Sequence, residues 1–217
     1  MIMNMPMNKS LQPRRARQAG FTMIEILITF VVLVVGLLGL IGLQARTQQA
    51  ELESYQRGQA LVLLQDIADR MNANRLGAKA GQYSTTSLSP AYVGGAAQLT
   101  DCTALTGSNY DMCEWGNLLN GAAEIAGTCT TTSSANCIGA MLGARGCISY
   151  DSATELPDSS GAAIAGTGIH TITIAWQGVS AGMTAPSANT CAQNLYPNEN
   201  LRRVASMTLR IGALKAQ

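Results

Sequence analysis

Between Phe21 and Leu43 the chain carries one ionisable side chain, Glu25, and from Ile26 to Leu43 nothing more polar than Thr29. A run of about 23 such residues makes roughly 34 Å of helix, enough to cross the hydrocarbon core of a bilayer. These residues cannot also fill a soluble core, so the 217-residue chain is expected to form one modest domain on an anchor. With 5% aromatic residues and 22 glycines, the head should be loop-rich around a small core. Residues 1–20 carry Lys9, Arg14, Arg15 and Arg17 and no acid. The positive-inside rule keeps that end in the cytoplasm and exports everything after Leu43. The 14 basic and 13 acidic side chains nearly cancel, which excludes a disordered polyelectrolyte and a basic nucleic-acid coat.

A secretory signal peptide is the simplest competitor. Its apolar core is shorter and ends at a small-x-small site, whereas Leu43-Gln44-Ala45 is a poor cleavage triplet. A generic single-pass anchor competes better, and Glu25 separates the two. A carboxylate inside an apolar span costs up to about 2.5 to 3.5 kcal/mol at mid-membrane, and a plain anchor has no use for it. Cleavage between Gly20 and Phe21 would place a new α-ammonium at similar depth. The Glu of one copy could then pair with the amine of its neighbour, favouring lateral assembly.

The succession Arg14-Arg15-Ala16-Arg17-Gln18-Ala19-Gly20, then Phe21-Thr22-Met23-Ile24-Glu25, then an apolar helix, resembles the type IV pilin signature. It has a basic leader, Gly before the cut, Phe after it and Glu four residues on. The resemblance implies that a prepilin peptidase cuts after Gly20 and that Phe21 is N-methylated. It also implies that the helix is kept as membrane anchor and filament core, and that Glu25 guides docking into the growing filament. Loss of the leader leaves 10 basic against 13 acidic side chains, so nucleic acid is not an expected partner. The basic cluster Arg202, Arg203, Arg210 and Lys215 is expected to be a solvated strand face.

From Gln44 to Arg75 the composition is polar, and Leu52, Tyr55, Ala60, Leu63, Leu64, Ile67 and Met71 recur mostly at spacings of three and four. This predicts an amphipathic stripe on a helix running unbroken from the membrane segment to about Asn74, covered by the head. Gly36, Gly39 and Gly42 are either ordinary membrane-helix glycines or a point where the helix loosens on leaving lipid. Residues 77–100 read as a connecting loop, Asp111–Leu119 as a short helix with Trp115 and Leu118 inward, and Gly121–Ser134 as loop or hairpin. Gly146–Tyr150 is β-prone. Ile172, Ile174 and Trp176 alternate with Thr171, Thr173 and Ala175, and Ala205, Met207, Leu209 and Ile211 with Ser206, Thr208 and Arg210. These segments predict an antiparallel sheet lying on the helix.

The stretches 66–75, 110–115 and 172–176 narrow the resemblance, being similar to minor pilins of the PilV family. That resemblance implies a low-abundance subunit which joins other minor pilins, the major pilin and a tip adhesin on an inner-membrane assembly platform. Such a complex primes assembly and sits at the filament tip, supporting adhesion and twitching motility.

All six cysteines, Cys102, Cys113, Cys129, Cys137, Cys147 and Cys191, fall in the exported part, and an even count in an oxidising compartment argues for disulfides. Of the fifteen pairings that six cysteines admit, the preferred one joins Cys129 to Cys137, Cys102 to Cys113 and Cys147 to Cys191. Zinc is disfavoured, since there is no Cys-x-x-Cys and only one His. His170 opens a strand pattern and is assigned a structural or exposed role, and Trp115 and Trp176 a core one. The chain carries no Gly-x-Ser-x-Gly elbow, no phosphate-cradling loop and no His-Glu-x-x-His helix, so no enzymatic activity, cofactor or metal is assigned.

The reading is therefore an α+β, pilin-like fold: leader 1–20, membrane helix 21–43, amphipathic continuation 44–76 and periplasmic head 77–217. The subunit is placed in the inner membrane and then the filament. Its rivals are a pseudopilin of a type II secretion system, an uncleaved membrane-anchored periplasmic receptor and a DNA-uptake pilin.

Overall fold

The computed structural model describes residues 20–95, 99–123 and 141–212. In chain order the elements are α1 (Met23–Ala73), α2 (Arg75–Lys79), β1 (Val93–Gly94), α3 (Gly107–Leu119), β2 (Leu142–Asp151), β3 (Ile169–Gln177) and β4 (Arg202–Arg210). The chain divides into two compact units after Arg46. In the first, the described residues run from irregular chain at 20–22 into the beginning of α1, and every one of them is exposed.

The second unit, from Thr47, holds the rest of α1, α2, α3 and the sheet. Gln56, Ala60, Leu64, Ile67, Ala68 and Met71 form the buried stripe of α1. Leu52 and Tyr55, expected on that stripe, are exposed, because burial on this helix begins only at Gln56. The helix ends at Ala73. Asn74 then turns the chain, its side chain accepting from the Gly77 N–H at 3.2 Å to start α2.

The sheet is antiparallel throughout, in the order β1-β2-β3-β4. Ile172 of β3 stands between Ile148 of β2 and Met207 of β4. Ile148, Ile172, Ile174 and Trp176 join Ala60, Leu64, Ile67 and Met71 of α1 in the main core, with Ala205, Met207 and Leu209 packed against it. The period-2 pattern of β3 and β4 and the helical stripe thus meet as their spacings require.

Several boundaries differ from expectation. Within 77–100, read as loop, Val93–Gly94 pairs with β2; two residues are too few to show alternation. Helix α3 begins at Gly107, four residues early, and its buried apolar residues are Met112, Trp115 and Leu119, with Leu118 only half-buried. Spacings of three and four put those three on one face and Leu118 at its edge. Strand β2 extends beyond Gly146–Tyr150 at both ends. Thr173 and Ala175, on the sheet face opposite α1, are also buried, since Cys191, Ala192 and Tyr196 fold over that face as a second, smaller cluster.

The basic cluster is only in part a solvated face: Arg210 is exposed, whereas Arg202 and Arg203 are not. Arg202 is 1% exposed, bonds Glu199 at 2.6 Å and donates to the carbonyls of Asn189 and Cys191 at 3.0 and 3.1 Å. Arg203 pairs with Glu53 of α1 at 3.3 Å, and Arg210 donates to the carbonyls of Thr154 and Thr167. Each guanidinium closes a loop or joins two elements, a use of long-range partners that composition does not reveal. Lys215 lies outside the described residues.

Candidate functional site

The first unit contains the residues expected to be cut, methylated and used in assembly. Regular helix starts at Met23, so the Gly20–Phe21 peptide bond lies in irregular chain just before it. Phe21 is 78% exposed, and a Cβ at Gly20 would meet nothing within 4 Å. A bond outside the helical ladder can enter an enzyme's cleft without a helical turn being broken first. Lys9, Arg14, Arg15 and Arg17, expected in a leader, lie outside the described residues.

Glu25 sits in the first turn of α1. Its N–H and that of Ile26 both donate to the Thr22 carbonyl, at 3.0 and 3.4 Å, so the turn that bears the carboxylate is closed. An acidic side chain here meets the positive end of the helix dipole. Phe21 and Glu25 are four residues apart, with Phe21 just outside the helix. Beyond them, α1 is long and apolar enough to cross a membrane, and none of its most apolar stretch is buried. Apolar surface this extensive needs lipid or other helices to cover it. Gly36, Gly39 and Gly42 have open space at their Cβ positions, leaving room for close approach by another helix.

The second unit holds the other singled-out residues. Cys102 is bonded to Cys113 and Cys147 to Cys191, two of the three expected pairs, each with Cα atoms 5.8 Å apart. The first links the loop before α3 to that helix; the second links β2 to the chain covering the outer sheet face. Cys129 and Cys137 lie outside the described residues. Trp115 and Trp176 are both core residues, and Trp115 Nε1 donates to the Leu63 carbonyl at 3.0 Å. His170 is fully buried, its ring 4.8 Å from that of Tyr150 and neither nitrogen hydrogen-bonded; burial pushes its pKa down. Among the described residues no group of three or more His, Cys, Asp or Glu side chains is placed to hold a metal ion.

Sequence reasoning missed the contacts that span long stretches of chain. Arg203 with Glu53 is one. Another is Arg145, whose guanidinium lies 5.3 and 5.1 Å from the rings of Tyr92 and Tyr196. Neither carries a local signal, because the partners are about 50 to 150 residues apart and come together only through the sheet.

Residues 15–41 match the prokaryotic N-terminal methylation motif, and residues 42–116 match the family described as type IV pilin Tt1218. No curated protein and no solved structure matches the chain. The first match contains Gly20, Phe21 and Glu25, and the second contains Gln56 to Trp115 with the Cys102–Cys113 pair. The likeness to type IV pilins thus covers residues 15–116, just under half of the chain, with the methylation motif at the start of an apolar helix long enough to cross a membrane.

Proposed function

We propose that this protein is a minor pilin of the PilV type, which joins a priming complex at the inner membrane and remains at the tip of the type IV pilus. The observation that carries the reading is the union, in one stretch, of the methylation motif with Glu25 at the head of an uncovered apolar helix. A prepilin peptidase on the cytoplasmic face cuts after Gly20, and Phe21 is N-methylated. The helix stays in the lipid until a separate ATP-driven machine extracts the subunit. Before extraction, the Glu25 carboxylate pairs with the N-terminal amine of a neighbouring pilin, offsetting the cost of an acid at membrane depth.

The minor role rests on the likeness of residues 66–75, 110–115 and 172–176 to PilV proteins. Those residues do structural work here: Ile67 and Met71 lie in the core, and Trp115 anchors α3. A pseudopilin of a type II secretion system shares the leader and the mechanism, so deletion of the gene is the discriminating experiment. Lost twitching with normal exoprotein secretion is the expected result. Normal twitching with lost secretion contradicts the pilus reading.

A further inference from the structure

The sheet is sealed along one edge and open along the other. On the outer side of β2, β1 pairs with Arg145 and Gly146, and Thr85 closes the next position. Its N–H donates to the Ile148 carbonyl at 2.9 Å, and its Oγ accepts from the Ile148 N–H at 3.0 Å. At the opposite edge β4 pairs with β3 alone, residue for residue from Arg202 to Arg210. The alternation of an antiparallel ladder fixes which way its backbone groups point. Because Ile148 turns its N–H and carbonyl away from β3, its partner Ile172 turns its own toward β4 and bonds Met207 there. The Gly178 N–H, donating to the Leu201 carbonyl further along, repeats that phase. The N–H and carbonyl groups of Val204, Ser206 and Thr208 therefore point away from the sheet, and no described residue bonds them.

A free strand edge is a template for another chain, and lone subunits guard it with charge, proline, a bulge or short length. Strand β4 has nine residues, no proline and no charge from Val204 to Leu209, and its register with β3 has no bulge. Ser206 and Thr208 are exposed. On the face toward α1, Ala205, Met207 and Leu209 are only partly buried, whereas Ile174, Ile172 and His170 opposite them on β3 are fully buried. Outward groups that recur about every 6.8 Å, two residues of antiparallel strand, match only another extended backbone. A second copy of this chain does not supply it. Antiparallel pairing of two β4 strands turns α1 of the copy end for end, whereas chains anchored as proposed above all enter the membrane by the same end. A copy in the same orientation presents β1, which is two residues long.

We propose that the free edge of β4 receives an extended strand from a different subunit, which continues the sheet beyond its four strands. The partner strand bonds the main chain of Val204, Ser206 and Thr208. Its apolar side chains lie on the face toward α1 and cover Ala205, Met207 and Leu209. That the subunit is a different pilin rests on the function proposed above; the demand for an extended chain does not.

The test puts the photoreactive residue p-benzoylphenylalanine in place of Thr208 in the full chain, irradiates native membranes and identifies the adduct peptide by mass spectrometry. An adduct to a different subunit is expected. Ser206→Ala and Ser206→Pro are then compared. Both remove the hydroxyl that bonds Thr173 and Asn189, but only Pro removes the outward N–H, which an edge strand tolerates. In detergent the two variants should unfold at the same Tm; a clearly lower Tm for Ser206→Pro overturns the outward orientation. In membranes Ser206→Ala should keep the adduct and Ser206→Pro should reduce it about tenfold, the loss of about 1.4 kcal/mol. An adduct that survives Ser206→Pro is contact without strand addition and overturns the proposal, as does no adduct or one to a second copy alone. A Pro-sensitive adduct on a chain that keeps residues 1–20 instead refutes the pilin reading and leaves the strand site standing.

Discussion

Gly146 of β2 lies so close against Trp115 of α3 that a Cβ there would stand 2.3 Å from Cη2 and 2.5 Å from Cζ3 of the indole. The same Cβ would be 2.8 Å from Leu119 Cδ1. The indole also bonds the Leu63 carbonyl of α1, so one side chain ties α1, α3 and β2 together. Gly146→Ala must displace that ring, and overpacking of this kind costs about 1 to 3 kcal/mol. Thermal unfolding of the full chain in detergent should show a clearly lowered Tm; an unchanged Tm would mean that α3 does not press on β2 as described.

The two described disulfides should differ in worth. Cys147–Cys191 closes a separation of 44 residues and Cys102–Cys113 one of 11. In the chain-entropy picture these constrain the unfolded chain by about 4 and about 3 kcal/mol. Replacing Cys147 and Cys191 together by Ser should therefore destabilise the head more than the same change at Cys102 and Cys113. Denaturant midpoints of the two double variants measure the difference, and the reverse order would contradict this ranking.

His170 should make the head acid-sensitive. Burial lowers its pKa in the folded state, so the unfolded chain binds the extra proton first. Stability is then intact above the ordinary histidine pKa of about 6.5 and falls as pH drops below it. The hydroxyl of Tyr150, against whose ring His170 packs, is engaged by Glu155, so that carboxylate is already occupied. His170→Leu should flatten the stability profile between about pH 7 and pH 5, the span in which histidine titrates. A profile that keeps the wild-type slope in that span would remove His170 as its cause.

The contrast between what the sequence announces and what it hides follows the range of the interactions. The α1 stripe, the alternation of Ile172, Ile174 and Trp176, and the methylation motif are local patterns, fixed by helix and strand periods or by residue order. Arg202 looked solvated because its acceptors, the Asn189 and Cys191 carbonyls, sit in a loop without periodicity. Strand β1 was missed for its length, and the burial of Ala175 because Cys191, Ala192 and Tyr196 fold back over the outer sheet face. Gln56 is polar and so carries no core signal in sequence, although the fold buries it on the α1 stripe.

Glu25→Ala separates processing from assembly. Cleavage after Gly20 depends on the residues around the scissile bond, which this change leaves in place, whereas the proposed pairing with a neighbour's amine is removed. The variant should be cut at the wild-type level and enter sheared pili at least about tenfold less, the effect of losing about 1.4 kcal/mol per docking event. Wild-type incorporation would rule out charge pairing as the guide.

The most direct measurement is the intact mass and N-terminal peptide of the protein recovered from membranes of cells with and without the prepilin peptidase. A chain beginning at N-methylated Phe21 only when the peptidase is present is the predicted result. A chain that retains residues 1–20 in both backgrounds would contradict the assembly mechanism and leave a carboxylate in the first turn of a membrane helix without a use.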